Sequence, residues 1–299
     1  MPEVRGSSGS PTVRRRELGA LLRALRNARG MTVEQVAAEL LCSPSKVSRM
    51  ETGQRGATAR DIRDLCDLYG VSDPAERERL ATLAAEGKKQ GWWQSYELVD
   101  DFTTYVGLEQ AALSMKHFSC LTVNGLVQTP AYARAMHVVG FEDFTSARIE
   151  ELLEVRMRRQ QLLDRQPPLQ LHLVFDEAML HRVVGGPAVM TEQLEHLVGL
   201  ARSTNITIQV IPSSYGAHPA MDSNFTILEF DQSAPNVVYV EGLVGWVYLE
   251  RQQDLDRYNL VFERLSSMAL NSKDSIKLIA GIAAAYSTEQ TPVRDVSRS

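Results

Sequence analysis

The apolar positions of the chain follow a helical period at its start and a strand period further on. From Arg14 to Arg29, Leu18, Leu21, Leu22 and Leu25 recur at spacings of three, four and seven, and Gly30 ends the run. Thr32 and Gln35 form a T-x-x-Q capping box before Val33, Val36, Ala37 and Leu40, which predicts a second, short helix. Ser43 as cap and Pro44 at the first helical position open a third over residues 43–51. Thr58 with Asp61 starts a fourth carrying Ile62, Leu65, Cys66 and Tyr69, and Asp73, Pro74 and Glu76 start a fifth that ends near Gly87. Two short helices joined tightly at residues 40–43 predict a helix-turn-helix within an all-α five-helix domain.

The pattern then breaks. KKQGWWQSY at 88–96 opens a connector over 88–104, and an apolar helix is expected from Tyr105 to about Phe118. A Gly turn and a Pro-started helix follow in VNGLVQTPAYARAM. Residues 145–166 alternate Arg148, Arg156, Arg158, Arg159 and Arg165 with Glu150, Glu151 and Glu154, which reads as a solvated helix face and not as a second nucleic-acid patch. LQLHLVF, ITIQVI, FTILEF and VVYVEG are short β-rich runs, with WVYL a fifth. Helices near 189–203, 252–269 and 272–286 complete an α+β or α/β domain, a small sheet covered by helices, over 105–286. Residues 1–13 and 287–299 read as disordered tails.

Turned at about 100° per residue, the third helix puts Val47 and Met50 inward and Ser45, Lys46, Ser48 and Arg49 outward. Short hydroxyls permit close approach to base edges, arginine bonds guanine bidentately, and lysine reaches a base or a phosphate. With Thr32 and Ser43 at helix starts and Gln54 and Arg55 just beyond, this is a candidate double-stranded DNA-binding surface.

Charge supports it. The chain of 299 residues carries a formal net charge of -5, yet residues 1–70 hold 12 Lys/Arg against 8 Asp/Glu and the remainder 20 against 29. A basic module on an acidic body attracts phosphate locally. No secretory leader or membrane-length apolar run is present, so a cytoplasmic location, nucleoid-associated when DNA-bound, and no membrane contact are expected. Cys42, Cys66 and Cys120 lack metal or redox spacing and read as small buried apolar residues.

The segment MTVEQVAAELLCSPSKVSRMETGQRGATARDIRDLCDLYGV resembles the Cro/repressor-type, XRE-like helix-turn-helix family over roughly residues 14–75. Its serine, arginine, glutamate and glycine track is represented by Ser43, Ser45, Val47, Ser48, Arg49, Glu51 and Gly53. Val33 and Pro44 replace the family's usual glutamines and Leu41 its turn glycine, so the resemblance implies the docking mode and not the operator sequence. GWW, YVGLEQAA, NGLVQTPAYARAM, DEAMLHRVVGGPAVM, ITIQVIP, GAHPAMDSNFTILEF and VVYVEG are similar, in order, to the Scr1-type effector domain of actinobacterial WhiJ-like regulators over about 92–280; Asn124 stands where proline is frequent.

That resemblance implies a transcription regulator whose C-terminal domain forms a homodimer and answers an unknown small-molecule effector or a small protein encoded by a neighbouring gene. It equally fits an antitoxin or adaptor whose DNA binding serves autoregulation. A ligand or partner pocket is sought among Trp92, Trp93, Gln128, His218, Tyr239 and Glu241. Asp176, Glu177 and His181, or His218 with Asp222, come nearest to a catalytic or metal cluster, but no H-E-x-x-H, phosphate loop or nucleophile elbow is present. The expectation is a protein that is not an enzyme and takes no metal or cofactor.

Overall fold

The computed structural model describes residues 10–140, 145–231, 234–242 and 245–289. The terminal stretches 1–9 and 290–299, read from sequence as parts of disordered tails, lie outside the described residues. The chain divides into two compact units, the first ending at Ala112 with the short stretch Phe230–Pro235 grouped to it, the second beginning at Leu113.

The first unit is helical: α1 Pro11–Ala28, α2 Val33–Glu39, α3 Pro44–Glu51, α4 Ala59–Tyr69, α5 Pro74–Glu86 and α6 Asp100–Ala111. Helix α1 starts earlier than the leucine pattern suggests. Ser10 caps it, accepting from the Thr12 N–H at 3.3 Å, Pro11 takes the first turn, and Val13 is buried. The other starts are the ones the caps predict: Thr32 with Gln35, Ser43 accepting from Lys46 N–H, Thr58 with Asp61, and Asp73 accepting from Ala75 N–H. Helices of 7 and 8 residues, such as α2 and α3, are too short to stand alone in water. They persist because Val36, Ala37, Val47 and Met50 enter one core with Leu18, Leu22, Ile62, Leu65, Tyr69 and Leu80. Each large side chain so buried contributes about 1.5–3 kcal/mol.

Two backbone features set the spacing of this bundle. A Cβ on Gly19 would lie 2.6 Å from the carbonyl oxygens of both Met50 and Glu51, so α1 meets the end of α3 backbone to side-chain-free backbone. Four helix ends or turns adopt left-handed φ. Three use glycine, Gly30 at 65°, Gly53 at 70° and Gly70 at 66°; the fourth is Leu41 at 49°, the sole non-glycine with positive φ among the described residues.

The second unit is built on a six-stranded mixed sheet of β1 Ser114–Ser119, β2 Gln170–Asp176, β3 Ile206–Ile211, β4 Phe225–Glu229, β5 Val237–Gly242 and β6 Gly245–Leu249, in the order β3-β2-β1-β4-β5-β6. β1, β2 and β3 run parallel, and β4, β5 and β6 continue antiparallel from β1. Around it lie α7 Pro130–Gly140, α8 Ser146–Gln160, α9 Glu177–Leu180, α10 Pro187–Leu200, α11 Gln252–Met268 and α12 Ser272–Glu289. Phe262, Leu265 and Leu255 of α11 pack over Phe118, Val174, Phe225, Ile227 and Val238 on one face, while α12 packs on α10 and β3. The protein is thus multidomain, a helical helix-turn-helix unit followed by an α+β unit. No helix among the described residues is long and apolar enough to cross a membrane.

Residues 11–13 and 287–289, read from sequence as tail, are helical, and three further sequence expectations change. The helix expected over 105–118 stops at Ala111, and 114–119 is β1, the strand that joins the parallel and antiparallel halves of the sheet. Met115 and Phe118, both fully buried, lie on opposite faces, so SMKHFS shows no clean alternation, and its partners begin more than fifty residues downstream. Helix α8 is not simply solvated. Arg159 is 5% exposed, and Arg156 donates to Gln128 Oε1. Gln160 Nε2 donates to the carbonyls of Gly125 at 3.0 Å and Gln128 at 2.7 Å. Of the cysteines Cys66 is buried as expected, whereas Cys42 and Cys120 are half-buried.

Candidate nucleic-acid interface

Helix α3 sits where its own chemistry places it. Val47 and Met50 are 1% and 3% exposed, whereas Ser43, Pro44, Ser45, Ser48 and Arg49 are all exposed. Its first turn carries no acidic residue, so the partial positive charge of the helix start is left to an incoming anion. Thr32 and Ser43 hold the starts of α2 and α3, each oxygen accepting a backbone N–H at 3.2 Å, from Gln35 and Lys46 respectively. A hydroxyl so engaged keeps its own proton to donate, and phosphate oxygen is a natural acceptor for it. Arg49 Nε bonds the Ser45 carbonyl at 3.3 Å. That bond lays the guanidinium along the helix and leaves its Nη groups without a protein partner among the described residues. Gln54 and Arg55 are exposed just past the turn at Gly53, and the Arg55 N–H returns to the Arg49 carbonyl at 3.0 Å.

Lys46 departs from the outward position expected of it. Its Nζ lies 2.6 Å from Asp61 Oδ1, with the lysine side chain 25% exposed. Asp61 also accepts from Thr58 N and Oγ1, both at 2.8 Å. Burial works to raise the Asp61 carboxyl, but the Lys46 ammonium and the Thr58 donors outweigh it and hold the group below the usual carboxylate range. Lys46 therefore ties α3 to the start of α4.

A second tie, from Arg26 and Arg23 on α1 to Glu51 at the end of α3, is not marked by the sequence pattern. The Glu51 side chain, 4% exposed, accepts from Arg26 Nε at 2.6 Å and Nη2 at 2.9 Å, with Arg23 Nε at 3.7 Å. The hydrogen bond to Glu51 raises the Arg26 guanidinium above its ordinary value. Arg26 Nη1 also donates to the Met31 carbonyl at 2.8 Å, so one arginine fixes the end of α3 and the α1–α2 turn together. The glutamate four residues past Val47, on the inward side, was the signal available for it.

The residues sought as a pocket are mostly engaged in holding the fold. Trp92 donates Nε1 to Gln110 Oε1 at 3.1 Å and meets Trp93 edge-on at 5.9 Å, and Trp93 is 2% exposed, inside the first unit. Gln128 is buried, donating to the Val123 carbonyl at 2.7 Å and accepting from Arg156. Tyr239 is buried on β5 opposite Thr226 and Tyr248, and Glu241 is exposed opposite Trp246. Within the second unit Gln128, His218 and the β5 pair have separate partners.

Asp176 and His218, which the sequence assigned to different clusters, come together. His218 Nε2 lies 3.0 Å from Asp176 Oδ2, and its Nδ1 accepts from the Ala220 N–H at 3.3 Å. Both ring nitrogens are thereby used, and the pair pins the loop after β3 to the end of β2. Glu177 accepts the Ser213 N–H at 2.7 Å, the bond that chiefly lowers its carboxyl, and His181 stands 3.4 Å from its other oxygen. Asp222 is not joined to His218. Sequence reasoning did not mark His117, whose Nδ1 lies 2.9 Å from Thr226 Oγ1 and which burial pushes down to about 4.

Residues 17–80 match the model of a family described as a helix-turn-helix domain, and residues 102–281 match that of a domain of unknown function, DUF5753. No curated protein and no solved structure matches the chain. With α3 presented by a helix-turn-helix and most of the remaining length accounted for by the second match, the chain belongs to the DUF5753 family, here with an N-terminal helix-turn-helix DNA-binding domain.

Proposed function

We propose that this protein is a sequence-specific, DNA-binding transcription regulator in which α3 enters the major groove and the second unit provides homodimerisation and the response to a signal. The observation that carries the reading is the exposed Ser45, Ser48 and Arg49 face on a helix whose other side is wholly buried. Serines at the groove floor and an arginine able to reach guanine O6 and N7 supply base readout, while Thr32, Ser43 and Arg55 supply phosphate contacts. Lys46, committed to Asp61, contributes to the rigidity of the reading head. A homodimer would place half-sites about 34–36 Å apart, or a multiple of that.

For the second unit the support is the ordered sequence likeness to Scr1-type effector domains, which favours a small protein from a neighbouring gene or a small molecule as the signal. The reading assigns the unit no catalytic step; the engagement of both His218 nitrogens is consistent with a structural role. Mobility shifts of promoter DNA at physiological salt test the proposal. A specific complex weakened about tenfold or more by Arg49→Ala, and less by Ser45→Ala, is expected. No specific complex, or one indifferent to both changes, would refute it.

A further inference from the structure

Leu41 combines two costs in one residue. It takes the left-handed conformation at φ 49°, and the residue is 94% exposed. The conformation is dictated by the way α2 ends: the Cys42 N–H returns to the Ala37 carbonyl at 2.9 Å and the Leu41 N–H to the Ala38 carbonyl at 3.1 Å. This paired closure requires positive φ at the residue between, a position where glycine avoids the steric penalty of a Cβ. The chain follows that rule nearby. Helix α1 closes in the same way, with Met31 N–H to the Arg26 carbonyl and Gly30 N–H to the Asn27 carbonyl, and α4 does so with Val71 to Cys66 and Gly70 to Asp67. At both, the residue with positive φ is glycine. The exception lies in the turn of the helix-turn-helix, two residues before the cap of α3.

A leucine that strains the backbone and packs on nothing adds nothing to the stability of the isolated fold. Strain of this kind is retained where another contact uses the side chain. From its place beside Ser43, Pro44 and Ser45, all exposed at the start of α3, we infer that Leu41 is a DNA-contacting residue that sets an apolar side chain against the duplex at the edge of the major groove. The apolar surfaces a duplex offers there are the thymine C5-methyl and the deoxyribose. The inference rests on the DNA-reading role of α3 proposed above.

The test uses the full chain and the duplex it selects from a random-sequence library. Binding is followed by fluorescence anisotropy across salt concentration, alongside thermal melting and sedimentation. Leu41→Gly and Leu41→Asn both fit a left-handed turn and both remove the apolar group. Each is expected to raise the melting temperature while weakening DNA binding about fivefold or more, with the salt slope unchanged because no phosphate contact is lost. Replacing each thymine by deoxyuridine assigns the contact: a position that costs the parent chain affinity but not Leu41→Gly marks the methyl, and none marks the sugar. Unaltered affinity in the more stable variants overturns the inference, as does a loss of self-association in place of a loss of DNA binding. If Arg49→Ala also leaves binding intact, or no duplex is selected, the reading of α3 falls first and Leu41 with it.

Discussion

Replacing Gly19 by alanine sets two opposed effects against each other. On helix propensity alone the change inside α1 should stabilise by about 1 kcal/mol. The structure opposes this, because the new Cβ would sit 2.6 Å from the Met50 and Glu51 oxygens and 2.8 Å from the Glu51 carbonyl carbon. All three atoms are backbone, so no side chain can turn aside. Relief requires α1 and the end of α3 to separate by roughly half an ångström or more, stretching the Arg26–Glu51 pair that joins them. Overpacking of this kind costs about 1–3 kcal/mol or more, and the clash should win by about 1–2 kcal/mol. For a unit of roughly one hundred residues that lowers the melting temperature by about 5–15 °C. Differential scanning calorimetry of the full chain reads the transition of the first unit, and DNA affinity should fall with it as α3 is displaced. Gly281→Ala in α12 is the control, since nothing lies within 4 Å of the added carbon and only the propensity gain of about 0.5–1 kcal/mol remains. A Gly19→Ala protein as stable as the parent would refute the argument from close approach.

Glu51→Gln should destabilise the first unit by about 3–5 kcal/mol, because the Arg26 guanidinium, 13% exposed at its side chain, is left without its charge partner; chemical denaturation measures it, and a loss below about 1 kcal/mol would count against the pair as an anchor. His137 is 8% exposed, and burial, aided by Arg156, pushes it down to about 4. Between its unfolded value near 6.5 and about 4 the unfolded chain binds the additional proton, so stability is full above that window and falls by about 3 kcal/mol as pH drops through it. Denaturant midpoints across pH should show His137→Phe losing less on acidification than the parent; an identical acid limb in both would exclude the histidine as a cause.

Much of the first unit is legible in the chain because its information is local. Thr32 with Gln35, Ser43 with Pro44, and Thr58 with Asp61 are each read within four residues, and the leucine spacing gives the buried face of α1 without reference to any partner. The outward face of α3 follows from the same arithmetic, but Lys46 does not, because its direction depends on Asp61 fifteen residues away in another helix. Arg26 likewise looks solvated until α1 and α3 are brought together. In the second unit the strands whose apolar runs are long, such as ITIQVI, declare themselves, while β1 does not. SMKHFS becomes a strand only because Gln170–Phe175 and Phe225–Glu229 supply its hydrogen-bonding partners from far along the sequence.

Asp176 and His218 meet for the same reason, the end of β2 and the loop after β3 being neighbours only in the assembled sheet. Sequence by itself therefore determined the starts of α2 to α5, the apolar and polar sides of α3 and the order of a helical helix-turn-helix region before an α+β one, all of which rest on short-range periodicity and capping. Tertiary structure alone decided which charged side chains are spent on packing and which stay available, because the desolvation and pairing of a charge depend on groups that the fold, and not the sequence order, brings beside it.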